Sequence, residues 1–270
     1  MRPLLLSTSA TPSSNATALV SHLVSLSNGE NMDGPHDSLH AHLLVEDGRR
    51  DTLLSHLAAL YSAASRHHLE TSLTVVPLAL EGSGPLPSPV SAMTGAEDTA
   101  LPLITSALMT PGRGFYPLYN YVALGGTFDR LHGGHKLLLT TAMLYAKCGI
   151  RVGVTTAPLL VSKAHATLIE PFEVRCAAVT GFVKLLRPDL ELKVVGICDR
   201  AGGADRDETL EALVVSTETA GALVDINSVR EAAGLKPLEC VTIPFVGGDD
   251  SDRLSSTELR RRAQEKRQSA

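Results

Sequence analysis

The stretch Tyr121 to Lys136, YVALGGTFDRLHGGHK, restricts the fold of this chain more than any other. It reads as a buried strand, Tyr121 to Gly125, then a glycine-loosened turn, then a helix that begins near His135 and runs on through LLLTTAMLYAKCG to stop at Gly149, with Lys147 in its last turn. A strand delivered straight into a helix is α/β architecture, and the first N–H groups of such a helix have no partner inside it. The helix mouth is therefore a site of positive potential that suits phosphate. His132 and His135, three residues apart, place two imidazoles together at that mouth.

The same alternation of strand and helix runs through the chain. Pro3 to Ser7 is a candidate strand, and Thr11-Pro12 opens a helix to about Leu26, because proline at the first helical position loses no needed N–H. Ser38 to Val45 is a strand with Leu39, Ala41, Leu43 and Val45 on one face and His40 and His42 on the other. Leucines at 53, 54, 57 and 60, followed by Tyr61, give Arg50 to His67 a helical period, and Thr71 to Leu80 is a third strand. Two Pro/Gly/Ser-rich breaks follow, Glu81 to Gly95 and Thr110 to Pro117. The domain boundary is expected at the second, which separates an N-terminal α/β domain, 1–114, from a C-terminal domain, 115–270. In the latter, Ile150 to Thr156, Leu190 to Cys198, Ala212 to Ser216 and Glu239 to Phe245 are strands. Pro171 to Leu186 and Thr219 to Ala233 are helices, and a last helix starts at Ser255. This order predicts a doubly wound parallel sheet whose ligands sit beyond the carboxyl ends of the strands, where the glycine-histidine turn lies.

Composition excludes several classes. With 24 Lys and Arg against 29 Asp and Glu, the formal charge is −5, so no general basic field draws the chain to nucleic acid. The exception is the basic run Arg260, Arg261, Arg262, Lys266 and Arg267. No apolar run approaches the roughly 18 residues of a bilayer span, so no membrane is expected as a partner. Cys148, Cys176, Cys198 and Cys240 stand too far apart for a zinc site or a disulfide framework and are expected as buried apolar fillers. His36, His40 and His42 have no carboxylate or cysteine set to complete a metal site and read as a solvated face, so no metal ligands are expected. The first 28 residues are rich in serine, with Arg2 their sole Lys or Arg; a cytoplasmic location is expected, with an organellar, mitochondrial address as the alternative.

The usual phosphate cradles are missing. The turn holds no GxGxxG, and the chain contains no Gly-Lys dipeptide and hence no P-loop. What remains is GGTFDRLHGGH, read as a nucleotide-phosphate site. This segment resembles the HxGH signature of the nucleotidylyltransferase superfamily, and GGTFDRLH is similar to the eukaryotic type of phosphopantetheine adenylyltransferase, as found in coenzyme A synthase. The superfamily's second signature, (I/L)SSTxxR, is matched by Leu254 to Arg260, about 120 residues downstream. Between them, VGVTTAPLLVSKAHATLIEPFEVR looks like the family's lysine loop and VVSTETAGALVDINSVR like its VVSEET…IN…R segment. Thr217 stands where that segment usually has glutamate, and Gly133-Gly134 where some relatives have Asn-Ala.

The resemblance implies a Rossmann-like nucleotidylyltransferase fold and transfer of the adenylyl group of ATP, accompanied by Mg²⁺, to 4′-phosphopantetheine, giving dephospho-coenzyme A and pyrophosphate. In-line transfer needs positioned donors rather than a protein nucleophile. Carried over by motif, His135 stabilises the α-phosphate, His132 lies beside it on the triphosphate, Lys163 pairs with a phosphate, and Thr127 orients the acceptor. Gly126, Phe128 and Gly134 shape the nucleotide site, Ser255, Ser256, Thr257 and Arg260 grip the outer phosphates, and Arg230 and Asn227 touch the nucleotide or else pair on the helix surface. Asp129 and Arg130 are expected to form a local pair that fixes the loop, Arg261 and Arg262 to be solvated charge, and His165 has no assigned role. The alternatives are a cytidylyltransferase or a nicotinamide-nucleotide adenylyltransferase, which share HxGH, or a non-catalytic nucleotide-binding regulatory module. Bifunctional relatives carry a P-loop kinase domain, so the kinase step is expected to fall to another protein. The N-terminal domain loosely resembles the leading domain of eukaryotic coenzyme A synthases and is expected to serve docking or homo-oligomerisation.

Overall fold

The computed structural model describes residues 4–27, 39–46, 49–67, 73–79, 116–217, 219–243 and 255–268. The first three strands, β1 (Leu4–Ser7), β2 (Leu39–Val45) and β3 (Leu73–Ala79), form a parallel sheet in that order, connected through α1 (Pro12–Ser27) and α2 (Arg50–Arg66). The second sheet is also parallel, with the order β6-β5-β4-β7-β8. Its strands are β4 (Tyr119–Gly126), β5 (Ala146–Thr155), β6 (Glu191–Ile197), β7 (Ala212–Ser216) and β8 (Glu239–Ile243), and its helices α3 (Gly133–Tyr145), α4 (Phe172–Leu186), α5 (Ala222–Ala232) and α6 (Ser256–Gln268). Strand order reverses at β4, so the crevice beyond its carboxyl end, where the glycine-histidine turn begins, is the switch point of the sheet.

Side-chain alternation along β4 and β7 explains the two-sided winding. Val122, Leu124 and Val214 enter one core beneath α3 and α4, while Ala123, Leu213 and Val215 enter a second beneath α5 with Leu223 and Ile226. The larger core is continuous from Leu6 in β1 to Leu259 in α6, so both sheets share it. Helix α3 lies at its centre, with Gly133 and every residue from Lys136 to Leu144 buried, as befits a helix with protein on all sides.

One boundary differs from expectation. Helix α3 ends at Tyr145, and Lys147, Cys148 and Gly149 belong to β5 rather than to a last helical turn. The helix stops where Ala146 turns extended (φ −89°, ψ 130°), and its last carbonyls are satisfied by cations from other elements: Arg187 donates to the Met143 carbonyl at 2.8 Å and Arg50 to that of Leu144 at 3.4 Å. Gly149 answers a strand requirement instead, since a Cβ there would stand 2.9 Å from both the Glu191 carbonyl and the Tyr121 ring.

Two further expectations are corrected. Cys148, Cys198 and Cys240 are exposed and only Cys176 is partly buried, because Cys240 lies on edge strand β8, Cys198 just past edge strand β6, and Cys148 beside exposed Asn120. His40 and His42 are half-buried rather than solvated, and burial lowers the pKa of each. The break at 81–95 and the boundary expected at 114/115 lie outside the described residues, as does His36. Leu57→Ala, in the fully buried stripe of α2, should lower stability by about 2–5 kcal/mol in urea unfolding; a loss below about 1 kcal/mol would show that α2 does not belong to the shared core.

Candidate active site

A cleft of about 680 Å³ opens beyond the carboxyl ends of β4, β5, β6 and β7, with Gly125, Gly126 and Thr127 on one wall and Lys163, Asp199 and Arg200 at its rim. The turn that leaves β4 is compact and strained: Phe128 and Arg130 have φ of 52° and 51°, a left-handed conformation that costs a non-glycine residue of order 1–3 kcal/mol. Hydrogen bonds offset that strain. The Asp129 carboxylate accepts from the Glu170 amide at 2.9 Å, and the Glu170 carboxylate accepts from the Arg130 amide at 2.6 Å.

Asp129 does not pair with Arg130. Its other oxygen accepts from Arg260 of α6 at 2.6 Å, and the two side chains are 0% and 1% exposed. A carboxylate removed from water requires a cation buried with it, whereas half-exposed Arg130 turns to the Leu168 carbonyl. Arg260 also donates to the Ala164 carbonyl at 3.1 Å, next to Lys163. One guanidinium thus joins the turn, the lysine loop and the last helix.

His132 is the N-cap of α3. Its Nδ1 accepts from the Gly134 amide at 3.2 Å, which leaves the ring proton on Nε2, 3.3 Å from the Ser256 hydroxyl; that hydroxyl donates in turn to the Asp129 carbonyl at 3.2 Å. Both nitrogens of His132 are therefore engaged inside the protein. Burial pushes its pKa down to about 4, with Asp129 opposing and Lys136 adding to the effect. His135 stacks on it at 3.9 Å between centroids and touches Phe128 at 5.2 Å. Burial, then His132 and Lys163, hold His135 well below the ordinary histidine range. It keeps partial exposure, and its buried Nδ1 has no hydrogen-bond partner among the described residues, so it is the histidine with capacity to spare.

The structure gathers most of the predicted residues around the turn, and of these Gly126, Thr127 and Lys163 line the cleft itself. Gly134 belongs to the N-cap bond, and Phe128 is wholly buried behind the turn, with its ring in contact with His135. Ser255 caps α6 by accepting from the Glu258 amide, Ser256 reaches the turn, and the exposed Thr257 accepts from Arg260. Arg261 and Arg262 pair with Glu258 on the surface of α6.

Arg230 and Asn227 are not brought to the cleft. The Arg230 guanidinium is buried and donates to the carbonyls of Lys236, Ala204, Asp207 and Leu210, and Asn227 both donates to and accepts from the backbone of Leu238. His165, in left-handed backbone, is outside the cleft lining.

Two arginines escape a reading of the sequence. Arg175, 1% exposed, donates to the carbonyls of Thr127, Thr155 and Glu170 and so fixes the cleft wall from behind. A signal for it exists, since it occupies the same face of α4 as Val179, Phe182, Val183 and Leu186, a charge on a buried stripe. Arg151, on the cleft lining, donates to the Gly202 carbonyl at 2.7 Å and holds the segment after β6.

A parallel sheet with an HxGH turn at its switch point and an SSTxxR helix bonded to that turn is the architecture of a nucleotide-transfer fold. The chain belongs to the cytidylyltransferase-like family, whose model matches residues 123–262. Its relatives include the phosphopantetheine adenylyltransferase of Saccharomyces cerevisiae, 39% identical over 147 residues that make up 53% of this chain and 48% of the yeast one. Those of Thermococcus kodakarensis and Methanopyrus kandleri are 38% and 40% identical over 53% of this chain and 85% and 89% of theirs. The match thus spans about half of the yeast protein but most of each archaeal one.

Neutral, buried His132 makes the fold sensitive to acid. A folded-state pKa of about 4 against the ordinary 6.5 means that the unfolded chain takes up a proton that the fold refuses, so stability is full above pH 6.5 and falls as pH drops towards 4. His132 accounts for about 3 kcal/mol of that loss. In urea unfolding from pH 7 to 4.5, His132→Asn, which keeps an N-cap acceptor, should show a shallower decline than the parent; parallel curves would contradict the assignment.

Proposed function

We propose that the chain transfers the adenylyl group of ATP to 4′-phosphopantetheine, forming dephospho-coenzyme A and releasing pyrophosphate. The observation that carries the reading is the convergence of the histidine turn, the lysine loop and the last helix, which Arg260 ties together at one strand end through Asp129 and the Ala164 carbonyl. The acceptor phosphate attacks the α-phosphate in line, the bond to the β-phosphate breaks, and pyrophosphate leaves with the electron pair. Charge gathers on the α-phosphate oxygens in the transition state, so donors already in place lower the barrier. His135 supplies one such donor, the first-turn amides of α3 others, and Lys163 a mobile cation. His132 is engaged on both sides and holds the turn rather than the triphosphate.

Magnesium enters this reading with the nucleotide as Mg·ATP. Among the described residues no group of three or more His, Cys, Asp or Glu is placed to hold a metal ion, and the triphosphate oxygens provide ligands for it. Among those residues, too, no helix is long and apolar enough to cross a membrane. A cytoplasmic site of action goes with the reading.

Pyrophosphate release with ATP or CTP, tested against 4′-phosphopantetheine and nicotinamide mononucleotide, checks the substrates. Turnover is expected with ATP and 4′-phosphopantetheine; turnover with CTP alone would overturn the proposal. His135→Ala should lower kcat by about 10²–10³, the usual loss for a transition-state donor. A fall of less than about tenfold would remove His135 from the mechanism.

A further inference from the structure

The N-terminal sheet reaches the back of the candidate active site through two side chains that the mechanism does not use. Lys136 directly follows His135, and the helical turn of about 100° per residue sends it away from the cleft. It is 4% exposed, and its ammonium donates to the Leu73 carbonyl of β3 at 2.7 Å and to the Thr74 hydroxyl at 3.4 Å. Burial lowers its pKa to about 8, a cost carried next to the second histidine of the motif. Tyr61 of α2 is wholly buried and stands directly against Gly133, where an added Cβ would lie 2.7 Å from the tyrosine Cβ. Its hydroxyl accepts from the Val75 amide, again in β3, at 3.3 Å.

These contacts meet at one place. Strand β3 is an edge of its sheet, and its Leu73 carbonyl and Val75 amide are taken by side chains from α3 and α2. At the other end of α3, Arg50 of α2 donates to the Leu144 carbonyl, so α2 fixes α3 at both ends. The residues between His132 and Lys136 are thus held by the turn and α6 on one side and by the N-terminal unit on the other. The archaeal relatives, matched over 85% and 89% of their length by 53% of this chain, have no length left for a unit of this size. Support of the turn from behind is therefore an addition to what those chains share with this one.

We propose that Tyr61 and Lys136 are positioning residues for adenylyl transfer, through which the N-terminal α/β unit holds His135 in register with the cleft. The inference rests on the reaction proposed above for its kinetic test, and a spectroscopic test stands apart from that reading. In the full-length chain, Lys136→Met keeps the apolar stem and removes the ammonium, and Tyr61→Phe keeps the ring against Gly133 and removes the bond to Val75. At a temperature where each variant is folded by circular dichroism, Lys136→Met should lower kcat about tenfold or more with KM for ATP changed less than about threefold, because displacement of a transition-state donor is felt mainly in the chemical step. Tyr61→Phe should show a smaller fall in the same direction. In ¹H–¹⁵N spectra of the imidazoles without substrate, the His132 and His135 signals should move in Lys136→Met while those of His67 stay in place.

A folded Lys136→Met variant with kcat within twofold of the parent and unmoved His132 and His135 signals would overturn the proposal. Should that variant fail to fold, Tyr61→Phe decides it by the same two readouts. Absence of turnover in the parent chain would overturn the reaction instead, and the imidazole spectra would still decide whether Lys136 positions the histidines.

Discussion

The buried ion pair between Asp129 and Arg260 is the contact on which the rest of the site depends. Either charge buried in that position without the other would cost several kcal/mol. The pair therefore joins two segments that lie 131 residues apart in the chain. Each partner has bonds to spare and uses them: Asp129 orders Glu170, which holds the Arg130 amide, and Arg260 reaches the carbonyl beside Lys163. The two left-handed residues of the turn, Phe128 and Arg130, persist because this network over-determines the backbone around them. The ordering of the lysine loop and the geometry of the histidine pair thus follow from one interaction.

Helix α3 carries that order into the body of the protein. Its N-terminus presents the histidines, and its sides are packed against both sheets, so nothing in the helix can shift without disturbing the shared core. Three of its polar contacts involve cations: buried Lys136 near its start, and partly buried Arg50 and buried Arg187 at its last carbonyls. The arginines at the C-terminal end complement the helix dipole. Lys136 gains nothing from the dipole at the N-terminal end, and its position there makes sense as a tether to β3.

Much of this is legible in the sequence. Strands such as Leu39–Val45 and Ala212–Ser216 and helices such as Pro12–Ser27 follow from apolar period and turn residues alone, and the parallel order follows from their alternation. The histidine pair and the serine-rich helix start are legible through spacing and resemblance. What is not legible shares one physical cause, a partner distant in sequence. For Asp129 a string of residues suggests only its neighbour Arg130, while desolvation selects Arg260. Motif assigns Arg230 to the nucleotide, yet its guanidinium is spent on four backbone carbonyls. Gly149 reads as a helix stop, although crowding between Tyr121 and Glu191 requires it in a strand. Lys136 carries no signal, because a lysine after HxGH looks like surface charge until β3 is seen beside it.

The glycine-histidine turn and the last helix work as one unit through Asp129 and Arg260. A double-mutant cycle on kcat/KM for ATP, with Asp129→Asn, Arg260→Met and the pair together, each assayed where it remains folded, tests this most directly. If the two side chains act through each other, the double variant will be no worse than the poorer single variant, because the second change removes a partner already lost. Losses that simply add in free energy would mean that the two residues serve the reaction separately, and would contradict the coupling of turn and helix through this pair.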